Sequence, residues 1–384
     1  MFTFGVGTLN KIKMRDIMLD EVEDKFYFSQ EVLDNFVYEK SYGTVGRIGY
    51  IDRKTDGRVH QSDYVYDWNK LASTLLARDY KDPQRVICSP KKGMGTIEYQ
   101  NKRYSVRKLT PLEYWRLQGI PDDMFYRAQK KISNTKLYER AGRSICIPML
   151  EDIFKKFFEK EDFDKLTVLE AFSGIGSQRI ALQRQNIPHE SVGIMEVDRY
   201  GLLAYDAIHN DQSIDYSVGK TDKEMTDEME AINIAYNFST YENEMPNSHK
   251  DIVDLYNATK RSHNFGDITK VTEDKLPNFN FFTYSFPCKN ISLAGNRKGF
   301  EKDSGTQSSL VWECERIIRE KRPKYLMMEN VKNICGNENI GLFREWIALL
   351  ESYGYKSEWG VYNAMDYGVP QNRERVIMMS KLVK

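Results

Sequence analysis

The chain has 384 residues, 41% of them hydrophobic and 29% charged, and its 56 basic and 56 acidic side chains give a formal net charge of zero. This composition is ordinary for a globular protein with one large and one smaller domain, and no run of about 18 apolar residues indicates a membrane span. Zero net charge excludes attraction of a nucleic acid by the protein as a whole, so such a ligand would need a local basic surface. We identify no signal peptide, and five cysteines at unrelated spacings predict neither a disulfide framework nor a metal site, which fits a reducing cytoplasm.

The chain up to about residue 130 predicts short strands and hairpins. The segments KSYGTVGRIGYIDRKTDGRV and VICSPKKGMGTIEYQNKRYSVRKL alternate apolar or aromatic residues with turn residues, and the second is rich in lysine and arginine. A helix is predicted after Thr110, with Thr110 as the N-cap, Pro111 at the first helical position, Glu113 completing a capping box and Gly119 at the C-terminal stop. Helical apolar spacing predicts a second helix within SICIPMLEDIFKKFFEKE.

From Lys165 onward, apolar strands alternate with helices. The predicted strands lie in KLTVLEAFSGIG, SVGIMEVD, FNFFTYSFPC, PKYLMMENV and RVIMMS, and the predicted helices in SQRIALQRQN, SLVWECERIIREKRP and LFREWIALLESYGY. This alternation predicts an α/β fold with a doubly wound, mostly parallel sheet that helices cover on both faces. We interpret a polar insertion at about residues 210–263 as surface helix and loop without visible chemistry.

The predicted strand ends carry residues suited to an adenosine-containing cofactor, because ligands of doubly wound sheets bind at the carboxyl ends of the strands. Gly174 and Gly176 in EAFSGIG allow the backbone to approach a ligand, although the same glycines would suit a tight turn. Glu196 ends the next strand and could accept hydrogen bonds from ribose hydroxyls, and Asp267 follows as a further acid. The loop lacks the full G-x-G-x-x-G pattern and no P-loop is present, which favours S-adenosylmethionine over nicotinamide or ATP cofactors.

The order of strand ends also brings a thiol, a carboxyl group and two guanidinium groups to one edge of the predicted sheet. These are Cys288, Glu329, Arg373 and Arg375. Each alone has a structural alternative: a small buried thiol, a cap of the following turn, or ion pairs at the surface. Their joint occurrence in this order favours a catalytic site.

In this order, EAFSGIG, Glu196, Asp267, SFPC, ENV and QNRER resemble the motifs of the DNA (cytosine-5) methyltransferases. RKLTPLEYWRLQGIPD and YERAGRSICIPMLEDI add two more motifs, which stand last in most of the family and come first here. The chain therefore resembles a circularly permuted member, with a strand-rich target-recognition domain at residues 1–135 and the catalytic, cofactor-binding domain at residues 136–384. The permutation predicts that both termini lie at the same surface region.

The resemblance implies methyl transfer from S-adenosylmethionine to C5 of a cytosine that is flipped out of a short specific sequence in duplex DNA. Cys288 would form a covalent adduct at C6, Glu329 would hold N3 and the exocyclic amine, and Arg375 would contact O2. Arg373 would position a loop or a phosphate. The cofactor would be held by residues from several strand ends and from the displaced motifs, namely Phe172, Gly174, Gly176, Glu196, Asp267, Pro287, Leu310 and Ser144.

DNA contacts are expected from the polar stretch after Cys288 and from QNRER, at Lys289, Ser292, Arg297, Lys298 and Gln371. The recognition region offers further basic candidates at Arg47, Arg53, Lys54, Arg58, Arg78, Lys91, Lys92 and Arg103. Three positions depart from the family pattern. Lys289 replaces a glutamine, Arg143 replaces an asparagine expected near the amino-acid end of the cofactor, and Val197 stands where some members have an aromatic residue.

Two other functions stay open on this reasoning. An RNA cytosine methyltransferase would share the catalytic motifs, but that branch is unpermuted and carries a Cys-Phe-Thr signature that the chain lacks. A DNA-binding protein without activity is disfavoured by the intact Cys288, Glu329 and Arg375. The favoured interpretation is a cytoplasmic, monomeric enzyme from a bacterium or phage that acts on double-stranded DNA, without a membrane partner. A cognate restriction endonuclease is a candidate partner.

Overall fold

A computed structural model describes residues 12–39, 45–53, 58–237, 240, 242–287 and 310–383 of the chain. The predictions for Cys288, Lys289, Ser292, Arg297 and Lys298 lie outside these residues, as does the prediction that the two termini are neighbours. Within the described part, no helix is long and apolar enough to cross a membrane.

The first part of the chain forms a sheet of short strands, which confirms the strands and hairpins predicted there. Its strands are β1 Phe36–Tyr38, β2 Arg47–Ile51, β3 Tyr64–Tyr66, β4 Arg85–Cys88, β5 Thr96–Tyr99 and β6 Lys102–Lys108. They lie in the order β1-β2-β3-β4-β6-β5, with every neighbouring pair antiparallel except β3 and β4. Gln100 and Asn101 turn the chain between β5 and β6 with φ angles of 52° and 60°, which is the geometry of a two-residue type I′ hairpin.

A group of short helices accompanies this sheet and leads to the second one. These are α1 Gln30–Leu33, α2 Pro111–Arg116, α3 Asp122–Gln129, α4 Asn134–Arg143 and α5 Ile147–Phe158. The predicted capping box is confirmed, because the Glu113 backbone N–H donates to Thr110 Oγ1 at 3.3 Å and the Thr110 N–H donates to the Glu113 carboxylate at 2.7 Å. Gly119, with φ of 71°, follows α2 as predicted.

The second sheet carries the strands predicted after Lys165. In chain order the strands of this half are β7 Leu166–Ala171, β8 His189–Met195, β9 Tyr236–Asn237, β10 Glu242–Asn243, β11 Phe281–Tyr284, β12 Tyr325–Val331, β13 Tyr355–Asn363 and β14 Glu374–Leu382. The sheet has the order β13-β14-β12-β11-β7-β8, while β9 and β10 form a separate hairpin. The strands β12, β11, β7 and β8 are parallel to one another. At one side of the sheet β14 runs antiparallel to β12, and β13 runs antiparallel to β14.

Helices cover both faces of this sheet, which confirms the doubly wound α/β fold. The helices of this half are α6 Ser177–Arg184, α7 Arg199–His209, α8 Asp222–Ala231, α9 His249–Arg261, α10 Val311–Lys321 and α11 Ile340–Ser352. Alternate residues of a strand face opposite sides. Val168 and Met327 accordingly pack in one apolar cluster with α5 and α6. Leu169 and Met328 pack in another with α10 and α11.

The first of these clusters also contains Tyr66, Trp115 and Leu137, so the core runs continuously from the first sheet through α2 and α4 to the second sheet. We call the first sheet, β1–β6, the recognition sheet, after the role that the sequence predicts for it. The domain boundary at residues 135 and 136 stays a prediction. The sequence did not predict the short strands β9 and β10, nor β13 of the second sheet. β13 is an edge strand with exposed residues, among them Trp359 and Val361 at 40% each. Its apolar pattern is therefore too weak to indicate a buried strand.

Candidate active site

The candidate site lies where the carboxyl ends of β7, β8, β11 and β12 meet the start of β14. Parallel strands end at the same edge of a sheet, and an antiparallel neighbour begins there. The pairing of Val331 with Arg375 fixes the register of β12 against β14 at this edge. The fold therefore brings together the loop that begins at Phe172, Glu196, Glu329 and Arg375, as the order of motifs predicted.

The glycine loop after β7 has a tightly wound backbone in which Phe172, Gly174 and Gly176 all have positive φ angles, of 56°, 56° and 76°. The Phe172 N–H donates to the carbonyl of Met195 at 2.8 Å, which ties the loop to the end of β8. The two glycines differ in their surroundings. A Cβ at Gly174 would meet no atom within 4 Å, whereas a Cβ at Gly176 would lie 2.4 Å from His209 Nε2. Gly174 faces open space, and Gly176 is required for packing against α7.

Glu196, at the end of β8, closes this loop from the other side. Its carboxylate accepts hydrogen bonds from the N–H groups of Gly174 and Asp198, both at 2.8 Å. Burial raises the pKa of Glu196, and the neighbouring Asp198 raises it further, while the two N–H donors and Arg140 oppose the shift. Each carboxylate oxygen keeps a lone pair for a further donor.

Asp267 is buried, and its carboxylate is held in one orientation. One oxygen accepts from the Thr269 N–H at 3.0 Å and from the Thr269 hydroxyl at 2.9 Å, and the other accepts from Asn233 Nδ2 at 2.7 Å. Asn264 holds the main chain of Glu196. The Asn264 side-chain oxygen accepts from the Glu196 N–H, and the Asn264 side-chain nitrogen donates to the Glu196 carbonyl. Sequence reasoning missed both asparagines, because no motif distinguishes them.

Arg143 stands where the family resemblance leads us to expect an asparagine. It belongs to a network of ion pairs at the same end of the sheet. Its guanidinium is paired with Glu139 and, at 3.3 Å, with Asp198, while the buried Arg140 pairs with the same two acids. Asp198 also caps α7 by accepting from the Tyr200 and Gly201 N–H groups. Although burial raises its pKa, Arg140 and Arg143 together hold the pKa of Asp198 below its ordinary value.

The residues around the glycine loop fit a cofactor with hydrogen-bonding groups of its own. We call Ser144, Ser173, Gly174, Glu196 and Asp267 the candidate cofactor pocket. Ser173 is buried in the glycine loop, and its hydroxyl has no hydrogen-bond partner among the described residues. An orphaned buried hydroxyl next to a glycine that faces open space is what a bound polar ligand would satisfy. Ser144 lies nearby: it is buried, its hydroxyl donates to the Arg140 carbonyl at 2.7 Å, and the Ile145 N–H after it donates to Ser177 Oγ at the start of α6.

At the other side of the site, Glu329 and Arg375 form a close pair, with 3.0 Å between Glu329 Oε1 and Arg375 Nε. Burial raises the pKa of Glu329, although Arg375, Arg373 and a hydrogen bond with Ser285 favour the charged form. The next residue, Asn330, donates from Nδ2 to the carbonyl of Phe286 at 3.1 Å. This bond fixes Phe286, which lies two residues after β11 and two residues before Cys288 in the sequence. Pro287 and Leu310 are both half-buried, and they are the described residues on either side of residues 288–309.

Arg373 and Gln371 have a different environment from the one expected. Arg373 is buried, and its guanidinium donates to the carbonyls of Leu75, Gly142 and Ser144, each at 2.9 Å. The buried Gln371 donates to the Leu117 carbonyl at 2.7 Å and accepts from the Leu75 N–H at 3.1 Å. These placements do not support contacts of Arg373 with a phosphate or of Gln371 with DNA. Both side chains instead join the first half of the chain to the segment that leads into β14.

Several basic candidates in the recognition region are already engaged. Arg53 pairs with Asp63 and Asp82, and Lys91 pairs with Asp24 at 2.5 Å. Arg103 donates to Thr96 Oγ1 at 2.9 Å. Arg47, in contrast, is exposed, stacks 4.2 Å from the ring centroid of Tyr64 and borders an open cleft of about 500 Å³ toward β14. Lys54 lies outside the described residues.

Comparison with known proteins identifies the same family that the motifs resemble. The profile of the family described as C-5 cytosine-specific DNA methylase matches residues 7–159 and 239–384. The Type II methyltransferase M2.ScrFI of Lactococcus lactis subsp. cremoris is 50% identical over 220 residues, which cover 56% of this chain and 61% of that protein. The Orphan methyltransferase M.SssI of Spiroplasma monobiae is 37% identical over 235 residues, which cover 57% of this chain and 60% of that protein.

The chain thus spans less than two thirds of the length of these relatives. Among solved structures, the S. pombe Dnmt2 methyltransferase matches with a TM-score of 0.35 and 19% identity over 56% of this chain and 51% of its own, a likeness too low to support an argument. The profile match covers well over half of the chain in two segments, with the displaced motifs in the first and SFPC, ENV and QNRER in the second. The chain therefore belongs to the C-5 cytosine-specific DNA methylase family, with its motifs in circularly permuted order.

Proposed function

We propose that this chain is a DNA cytosine-5 methyltransferase that transfers a methyl group from S-adenosylmethionine to C5 of a flipped-out cytosine in a short duplex sequence. The observation that supports it most directly is the ion pair of the buried Glu329 with the partly buried Arg375, at the same end of the sheet as the glycine loop and Glu196. The pair offers an acid and a cation to a ring held at this edge, and the loop offers a place for the methyl donor.

The chemistry depends on making C5 of cytosine nucleophilic. The Cys288 thiolate would form a bond to C6, and Glu329, protonated in its buried position, would donate to N3 while the ring accumulates charge. Arg375 would donate to O2 and orient Glu329. After C5 has been methylated, loss of the C5 proton to a base and departure of the thiolate restore the double bond between C5 and C6. Neither ring position can be reached in this way within a stacked duplex, so the target base must leave the helix.

S-adenosylmethionine, when bound, supplies an electrophilic methyl group. Glu196 and Asp267 would accept hydrogen bonds from its adenosine part, Ser173 would gain a partner, and Gly174 leaves room for close approach. Phe172, Pro287, Leu310 and Ser144 would form the remaining walls. Arg143 would act on this pocket through Asp198 in place of the asparagine found elsewhere in the family.

We further propose that the recognition sheet reads the duplex and that Lys289, Ser292, Arg297 and Lys298 contact DNA around the target base. Arg47, which is exposed beside the cleft toward β14, is the best placed of the described basic candidates. A cytoplasmic restriction–modification or phage enzyme that acts as a monomer, with or without a cognate endonuclease, fits this role.

Expression in a bacterial host without cytosine methylation, followed by bisulfite sequencing of its genome, tests the proposal. We expect methylated cytosines in one fixed short context, and none with Cys288→Ser. Duplex DNA with 5-fluorocytosine at the target should form a denaturation-resistant adduct with the native protein only, because fluorine blocks the loss of the C5 substituent. A modified tRNA with an unmodified genome would support the RNA methyltransferase instead. DNA binding without any methylation would support a non-catalytic protein.

A further inference from the structure

The insertion at residues 210–263 is a packed part of the catalytic half rather than the surface helix and loop predicted from its polar sequence. Met225 and Met229 of α8 and Leu255 of α9 are buried in one cluster with Ile194 of β8. Arg261 and Asp206 form an ion pair at 2.6 Å, with side-chain exposures of 6% and 2%. These contacts fix α8 and α9 against β8 and α7, so their ends have defined positions.

Two asparagines, one between α8 and α9 and one directly after residue 263, contact the acids of the candidate cofactor pocket. After α8, Asn233 donates from Nδ2 to the Asp267 carboxylate at 2.7 Å. After α9, Asn264 accepts from the Glu196 N–H at 3.1 Å and donates to the Glu196 carbonyl at 2.8 Å. Asn233 therefore holds the side chain of Asp267, and Asn264, where the chain leaves the insertion, holds the main chain of Glu196.

Main-chain bonds add to these contacts. The Asp267 N–H donates to the Ile232 carbonyl at 2.9 Å, and the Ala235 N–H donates to the Val197 carbonyl at 2.8 Å. Gly266 has φ of 72°, and a Cβ there would lie 2.1 Å from the Ile232 oxygen, so the two passes of the chain are in direct contact. Asn233 itself has φ of 57°, a left-handed conformation that asparagine tolerates better than most residues.

We propose that the insertion is an internal support for the cofactor pocket and that Asn233 is the residue that positions the Asp267 carboxylate. This inference rests on the proposed binding of S-adenosylmethionine. With Thr269 on one oxygen and Asn233 on the other, the carboxylate cannot rotate, and its remaining lone pairs point in fixed directions. A fixed acceptor lowers the cost of ordering on binding, which is how preorganisation improves affinity.

Replacement of Asn233 by glycine isolates the side-chain effect, because glycine adopts the left-handed backbone without strain. Asn233→Gly should raise the Kd for S-adenosylmethionine in calorimetry by about tenfold, the scale of one hydrogen bond to a charged acceptor. The KM for the cofactor should rise in parallel, while the KM for DNA and kcat at saturating cofactor stay unchanged. Asn186 also has a left-handed backbone, with φ of 52°, but lies after α6. Asn186→Gly is the matched control and should bind the cofactor like the native protein.

Asn233→Asp gives a second test, since it keeps the side-chain shape and replaces the donor by an acceptor. It should weaken cofactor binding at least as much as Asn233→Gly, because two carboxylates would then face each other. Equal affinity of the native protein and both variants would overturn the inference. A rise in the KM for DNA together with that for the cofactor, or the same loss in Asn186→Gly, would show a merely structural role and would also overturn it. Failure of the native protein to bind S-adenosylmethionine would instead refute the proposed function.

Discussion

Glu329 and Arg375 form an ion pair across neighbouring antiparallel strands, with Arg375 Nε at 3.0 Å from Glu329 Oε1. The side chain of Glu329 is 11% exposed and that of Arg375 is 14% exposed. Val331 is the residue opposite Arg375 in the register of β12 and β14, so the guanidinium reaches back along β12 to the acid. Burial raises the pKa of Glu329, and Arg375 is the strongest group that opposes the rise. The fraction of Glu329 that carries a proton therefore depends on Arg375.

This pair predicts the pH dependence of methyl transfer. If protonated Glu329 is the active form, kcat/KM falls as the pH rises through its raised pKa. Arg375→Ala removes the opposing cation, so the falling limb should move to higher pH, and the rate at the optimum should fall about 10- to 100-fold with the lost charged hydrogen bond. Glu329→Gln should be about 10²- to 10⁴-fold slower and should lack the limb. The same limb in Glu329→Gln would assign the titration to another group.

Arg373 should affect stability where Arg375 affects activity. Arg373→Ala leaves the buried carbonyls of Leu75, Gly142 and Ser144 without their donor. We expect a loss of about 3 kcal/mol or more in the free energy of unfolding, measured by urea denaturation. The folded fraction of the variant should bind cofactor normally. Native stability combined with a defect confined to DNA binding would restore the phosphate-contact role expected from the sequence.

The sequence predicted the doubly wound sheet and the convergence of Glu329 and Arg375, because both follow from local patterns and from the order in which parallel strands end. The directions of the side chains in QNRER could not be predicted in the same way. Arg373 and Gln371 point toward Leu75, which is nearly 300 residues away in the chain. The position of Leu75 depends on how the first half of the chain packs against the segment that leads into β14. A motif identifies which residues lie at an edge, and packing between distant segments determines which of them face the ligand.

The polar insertion shows a second limit of prediction from sequence. Asn233 and Asn264 touch the two acids of the cofactor pocket, yet neither belongs to a motif, and a polar segment with weak periodicity is typical of a solvated surface. Their left-handed or irregular backbone is set by the contact of residues 232–235 with residues 264–267. Such a contact between two irregular segments leaves no periodic signal in the sequence.

The two glycines of the loop after β7 should respond differently to alanine. Both have positive φ, so each alanine variant carries about 1–2 kcal/mol of backbone strain. At Gly176 the new Cβ would also collide with His209 and Tyr205, and we expect about 2–4 kcal/mol of destabilisation in total. Gly174→Ala should lose no more than the strain but should bind S-adenosylmethionine about tenfold or more weakly, since its methyl group enters open space beside Ser173. Thermal denaturation with calorimetry separates the two effects, and normal cofactor affinity in Gly174→Ala would place the ligand elsewhere.

Asp79 predicts a pH dependence of stability that is independent of the active site. It lies between the recognition sheet and α4, where its carboxylate accepts from the Leu76 N–H at 3.0 Å and the Tyr114 hydroxyl at 3.2 Å. Burial raises its pKa from 3.8 to about 6. The stability that protonated Asp79 contributes is present below about pH 4 and is lost as the pH rises through about 6, by about 2–3 kcal/mol at most.

The variant Asp79→Asn tests this pH dependence, because it keeps an acceptor for both donors and cannot ionise. The variant should therefore match the native protein at pH 4 and exceed its free energy of unfolding at pH 7.5, as measured by urea denaturation at both values. A constant difference between the two proteins across this range would show that Asp79 stays ionised when it is buried.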